Sequence, residues 1–200
     1  MIETTTWLMG SICSATAAGF YVQVSHQLGA NDAAMARSTL RQGIMSVFIV
    51  SALIGFIALA ISQFLPTWLG GDSSITPTSS AYFAVIAMAL PAFQFSMFGS
   101  GMLRSSGNMI VPSVMSMVMM TLDVIFNFFL IFDTRTVDVL GMSLTLPGAG
   151  MGVVGAGIGT ASAELIAASI TMYILCFRNK ELNLKIDRGR FLPTWDVVRR

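Results

Sequence analysis

The chain has 200 residues, a formal net charge of +1 and only 10% charged residues, while 54% of it is hydrophobic. Soluble domains carry about 25% charged residues, so this composition excludes a soluble globular fold, and its apolar character excludes disorder. A nucleic-acid partner would need a basic face, so the class left is an all-α polytopic helix bundle in contact with membrane lipid.

The charges are spaced as a membrane protein requires. Residues 4–31, 42–71, 73–103, 105–122 and 139–163 hold no Asp, Glu, Lys or Arg. A helix crossing a ~30 Å hydrocarbon core needs about 20 apolar residues. The pattern predicts five spans, at about 5–28, 43–65, 79–101, 111–132 and 151–177. The first is weakly hydrophobic, with Ser11, Ser14, Thr16, Gln23, Ser25 and His26. Pro66 is expected to end the second. The third contains Pro91, which removes the hydrogen bond to Ala87 and bends the helix, either as a hinge or as a static kink. Pro112 falls in the first turn of the fourth, where a missing N–H costs nothing. The loop at 133–150 is long, and segments 136–139 and 143–146 suit a hairpin about Gly141 as well as they suit an irregular loop.

Lys and Arg placement orients the spans. Arg37, Arg41, Arg104 and the seven basic residues from Arg178 onward lie on one side, against Arg135 alone on the other. That side is expected to be cytoplasmic, in a bacterial plasma membrane. Residues 1–178 then form a partial bundle, and 179–200 a basic cytoplasmic linker or tail. Five spans with a cytoplasmic tail put the N-terminus outside, which suggests a missing upstream span. The chain reads as a piece of something larger. Met1-Ile2-Glu3 lacks the basic start of a signal peptide. Cys13 and Cys176 lie in or beside apolar windows, so neither a disulfide framework nor a metal cluster is expected.

Polar residues inside spans carry the functional argument. Asp123 lies in the fourth span, and a carboxylate at membrane depth costs several kcal/mol unless it is partnered, protonated or wet. Asn127, at i+4, shares its face, as does Ser116 at i−7. Counting nine residues inward from each end puts Asp123 and Thr160 at similar depth on antiparallel spans. Glu164 follows one turn deeper on the face of Thr160. Two carboxyls, an amide and a hydroxyl thus converge as a candidate ion or proton site, or as a structural polar contact.

Other motifs read blandly. Gly150-Met151-Gly152-Val153-Val154-Gly155 has the G-x-G-x-x-G spacing, but a dinucleotide site needs a preceding strand and a βαβ unit. Gly155 and Gly159 read as a close-packing G-x-x-x-G pair. His26 suits an interfacial role. The methionines, with Met115, Met117, Met119 and Met120 among them, suit lipid contact, packing or a permissive pocket. No nucleophile–base arrangement recommends an enzyme.

Gln27-Leu28-Gly29-Ala30-Asn31-Asp32, with Ala36-Arg37 and Gln42-Gly43 after it, resembles the loop after the second helix of MATE (multidrug and toxic compound extrusion) transporters. Gly107-Asn108-Met109-Ile110-Val111-Pro112 resembles the approach to that family's fifth helix, and Asn127-Phe128-Phe129-Leu130-Ile131-Phe132 its exit. The run from Gly152 to Ala161 resembles the start of the sixth. The resemblance implies helices two to six of the N-terminal bundle of a twelve-helix antiporter. The first helix and the C-terminal bundle would be missing partners.

Such proteins expel organic cations in exchange for protons or sodium. By that resemblance the chain takes no cofactor beyond the coupling ion, and its substrate is a small cationic molecule. Asp123 would titrate or bind the cation, with Asn127 and Thr160 as neutral ligands. Glu164 would be a second acid or a substrate contact. One branch of the family carries Asn and then Asp four residues on in the fifth helix. Here the order is Asp123 and then Asn127, which moves the carboxylate one turn, about 6 Å, along the same face. Glu164 falls where that branch has an apolar cavity residue. The alternatives are a flippase for lipid-linked sugars and an inactive truncated fragment.

Overall fold

The computed structural model describes residues 2–68, 70, 76–139 and 142–184. It contains α1 (Ile2–Gly29), α2 (Ala33–Ile61), the short α3 (Leu65–Trp68), α4 (Thr76–Ser105) and α5 (Ile110–Ile131). An antiparallel pair, β1 (Asp133–Val139) and β2 (Met142–Ala149), leads to α6 (Gly152–Tyr173), which ends in a π-helical turn, Ile174–Arg178. Long apolar runs become helices because lipid offers the backbone no hydrogen bonds. Among the described residues, α2, α4, α5 and α6 with its π-turn are long and apolar enough to cross a membrane. α1 has the length, at 28 residues, but its Ser, Thr and Gln side chains dilute its hydropathy.

Two boundaries differ from the sequence expectation. α2 starts at Ala33, ten residues before the apolar run at 43, because Asp32 caps it by accepting the Met35 N–H at 2.9 Å. It also ends before Pro66. The Ser62 N–H and hydroxyl both turn back onto the Leu59 carbonyl, at 3.2 and 2.7 Å, and Pro66 falls inside α3. The connection after α5 is the hairpin, paired from Asp133↔Ala149 to Val139↔Met142, while Gly141 lies outside the described residues.

The two turns at the basic end share one chemistry. In the first, Asn31 adopts φ 61°, the Asp32 N–H bonds the Gln27 carbonyl, and Asp32 caps α2. In the second, Gly107 adopts φ 78°, the Asn108 N–H bonds the Leu103 carbonyl, and the Asn108 side chain accepts the Val111 N–H at 3.1 Å.

α4 occupies the middle of the bundle, against α1, α2 and α6, and α5 packs mainly on α6. The main core lies toward the basic end, where Phe20, Leu40, Val47, Phe98, Met102 and Leu175 interlock. Phe20 and Phe98 meet edge to face at 6.5 Å. A smaller cluster of Ala58, Leu65, Phe83, Ala87 and Leu90 closes the opposite end. The outside is apolar instead of polar: Phe56 is 73% exposed and Val124 68%. α4 runs through Pro91 without a break. The Ala87 carbonyl, which Pro91 cannot bond, faces α2 at Gly55, where an added Cβ would lie 3.1 Å from it.

Candidate functional site

α5 and α6 approach through glycines. A Cβ at Gly155 would strike the Leu130 carbonyl at 2.5 Å, and one at Gly159 would collide with the Asn127 side-chain oxygen. The G-x-x-x-G pair therefore brings the two helices into backbone contact. It also sets their register. Asn127 lies level with Gly159 and its neighbour Thr160, and one turn further Asp123 comes level with Ala163 and Glu164.

Equal counting from the two helix ends pairs Asp123 with Thr160; the observed register is offset from that by about a turn. The Met151 N–H bonds the Leu130 carbonyl, and Gly155 abuts the same carbonyl. The first turn of α6 thus gains no depth against α5.

Glu164 is 7% exposed. It shares a side-chain hydrogen bond with Ser96 of α4, and Asp123 comes level with it across the seam. A cavity of about 160 Å³ opens beside it between α4, α5 and α6, with Ser100, Met115, Ser116 and Met119 in its wall. Ser116 sits at the exposed margin and donates its hydroxyl to the Pro112 carbonyl at 3.0 Å. Asp123 and Asn127 are half-buried, yet one side-chain oxygen of each is sealed from solvent and accepts no hydrogen bond. Thr160 is half-buried beside Gly159. The structure thus groups Asp123, Asn127, Glu164 and Ser96 around the α5–α6 seam, with Ser116 at the cavity margin and Pro91 well away on α4.

Sequence reasoning missed Ser96 and Ser100. Their i, i+4 spacing on one face of the third span was the available signal. It also passed over Gln94, 2% exposed, whose amide donates to the Cys13 carbonyl at 2.7 Å and ties α4 to α1. A second groove, about 360 Å³, lies between α1 and α4, where Tyr21 packs on Gly101 and Ser25 bonds Ser105 at 2.8 Å.

The carboxyls of Asp123 and Glu164, the Asn127 side-chain oxygen and the Ser96 hydroxyl form an all-oxygen set. Hard cations and protons take such donors. Among the described residues, no group of three or more His, Cys, Asp and Glu side chains is placed to hold a metal ion.

Comparison with known proteins agrees with this architecture. The MatE family profile matches residues 2–129. A multidrug resistance MATE family transporter of the MOP superfamily, in its inward-facing conformation, superposes with a TM-score of 0.77 at 17% identity, over 97% of this chain and 41% of that one. A MATE in complex with MaL6 gives 0.78 at 18% identity, over 96% and 40%. A MOP superfamily transporter from Pyrococcus furiosus gives 0.69 at 20% identity, over 96% and 39%. The chain spans about two-fifths of the length of these structures. With helices long and apolar enough to span the bilayer, a matching fold and a family profile over most of its length, the chain is a multi-pass membrane protein and belongs to the MATE family of transporters.

Proposed function

We propose that this chain forms part of an efflux antiporter that expels small organic cations in exchange for protons or sodium, across a bacterial plasma membrane. One observation carries the reading. Two carboxyls from facing helices, Asp123 and Glu164, come level across the glycine seam, beside sealed oxygens of Asp123 and Asn127 that accept no hydrogen bond. A carboxylate held at membrane depth without a donor is costly. A proton or sodium ion at Asp123, with Asn127 and Thr160 as neutral ligands, removes that cost.

Glu164 is the second acid, either sharing the coupling charge or meeting a cationic substrate through the adjoining cavity. A substrate cation and a coupling cation then compete for one negatively charged region, and competition of this kind is the energetic content of antiport. The partners required are a first helix and a second bundle, because alternating access rocks one bundle against another around a central site.

A flippase for lipid-linked sugars would need cationic groups in the membrane interior to hold pyrophosphate. Within the described spans the basic residues, Arg37, Arg41, Arg104 and Arg178, sit at one end only. The test is ethidium efflux from energised cells that carry the chain joined to the missing helices. Efflux is expected to fall by an order of magnitude or more in Asp123→Ala, as for a buried charge that carries a transport step. Undiminished efflux in that variant contradicts the reading.

A further inference from the structure

The segment that follows α6 does not leave the bundle freely. The π-helical turn Ile174–Arg178 closes with the Asn179 N–H on the Ile174 carbonyl at 3.0 Å. Single π-turns are rare and insert one extra residue into the last turn. Here that residue aims Asn179 back at the turn after α4. Its amide donates to the Ser106 hydroxyl at 2.7 Å, while its side-chain oxygen accepts the Glu181 and Leu182 N–H groups at 2.9 and 3.0 Å. Leu182 is driven into the main core and is fully buried. The Leu184 N–H then returns to the Cys176 carbonyl at 3.0 Å, and the Asn183 amide donates to the Phe177 carbonyl at 3.1 Å.

α2 grips this turn from the other side. Arg37 and Arg41 are one helical turn apart and donate, through Nη1 and Nη2, to the Glu181 and Leu184 carbonyls, both at 3.2 Å. Arg41 is only 3% exposed, and its hydrogen-bond partner among the described residues is the Leu184 carbonyl. A buried guanidinium is expensive unless it is hydrogen-bonded, so Arg41 and the 179–184 segment need one another. Ser25–Ser105 and the Asn108 cap close the neighbouring α1–α4 and α4–α5 junctions.

We propose that residues 179–184 are a clamp, held by Arg37 and Arg41 of α2 and by Ser106 in the turn just after α4, which makes the exit of α6 a fixed part of the bundle. Leu184, the last described residue, is thereby tied to α2 and α6 together. The clamp stands on these contacts and does not depend on the transported molecule or the coupling ion. It makes a backbone partner of Cys176, which is 8% exposed and becomes its reporter.

In a Cys13→Ala background Cys176 is the single thiol. Its reaction with a water-soluble maleimide is followed on the purified protein in lipid nanodiscs. The clamp predicts slow labelling with the parent sequence and an acceleration of about tenfold or more in Arg41→Gln and in Asn179→Ala, because each removes bonds that hold the segment closed. Arg104→Gln, at the same end but outside the clamp, is expected to leave the rate unchanged. Gel filtration separates local opening from unfolding, and Asn179→Ala leaves α2 intact. Labelling of the parent at the rate of an exposed thiol, or no acceleration in either variant, overturns the proposal. Global unfolding in both variants also overturns it, by assigning these contacts to the fold as a whole.

Discussion

The side-chain oxygen of Asn127 rests against Gly159 so closely that no Cβ fits between them. Glycine at this point does two things at once. It lets α5 and α6 touch, and it fixes the height at which Asn127, and with it Asp123 one turn away, meets α6. Asn127 and Asp123 are therefore placed against α6 by a packing contact.

Gly159→Ala should displace the Asn127 amide and cost about 1–3 kcal/mol, the usual penalty for overpacking a tight contact. Gly10→Ala is the control, since nothing lies within 4 Å of a Cβ there. Thermal unfolding in detergent reads both. Equal midpoints for the two variants would remove the seam as the positioning element.

How much of this was legible in the sequence follows from which forces act locally. Charge-free runs locate the long helices, and Gly155 with Gly159 announces a close seam, because both signals lie within one segment. Register between segments does not. Asp123 falls level with Glu164 because Met151 and Gly155 both abut the Leu130 carbonyl, a relation between two helices joined by a hairpin. Likewise α2 begins ten residues before its apolar run because a side chain, Asp32, supplies the cap that hydropathy does not register. Ser96 was overlooked since hydroxyls in a span are common, and only the Glu164 carboxyl across the α4–α6 contact gives it a role.

Asp32→Ala and Asn108→Ala each remove the side-chain acceptor at a helix start. Each should lower stability by about 1 kcal/mol, measured by thermal unfolding, with the turn glycine and Asn31 left in place. Losses well below that would mean water or a neighbouring group caps these N–H groups as well.

The ten-to-one distribution of Lys and Arg predicts sidedness. Cysteine at position 138, or at 72, which lies outside the described residues, should react with an impermeant thiol reagent applied to intact cells. Cysteine at position 37 or 104 should react only after the membrane is opened. The opposite labelling pattern would invert the bundle.

A single bundle has no opposing wall to close. Expression of the 200-residue chain alone is therefore expected to give cells no resistance to ethidium, whereas the same chain joined to a first helix and a second bundle should give resistance. Resistance from the chain by itself would contradict the two-bundle account.

Competition between coupling ion and substrate at Asp123 and Glu164 is the central claim, and ion release measures it most directly. Ethidium is added to the purified two-bundle protein in weakly buffered detergent, with a pH indicator for protons and labelled sodium for the alternative ion. The account predicts that substrate binding releases a proton or a sodium ion, and that Asp123→Asn abolishes the release, because the amide keeps size and polarity but cannot titrate. Unchanged ion release in Asp123→Asn, with Glu164 intact, would contradict Asp123 as the coupling group.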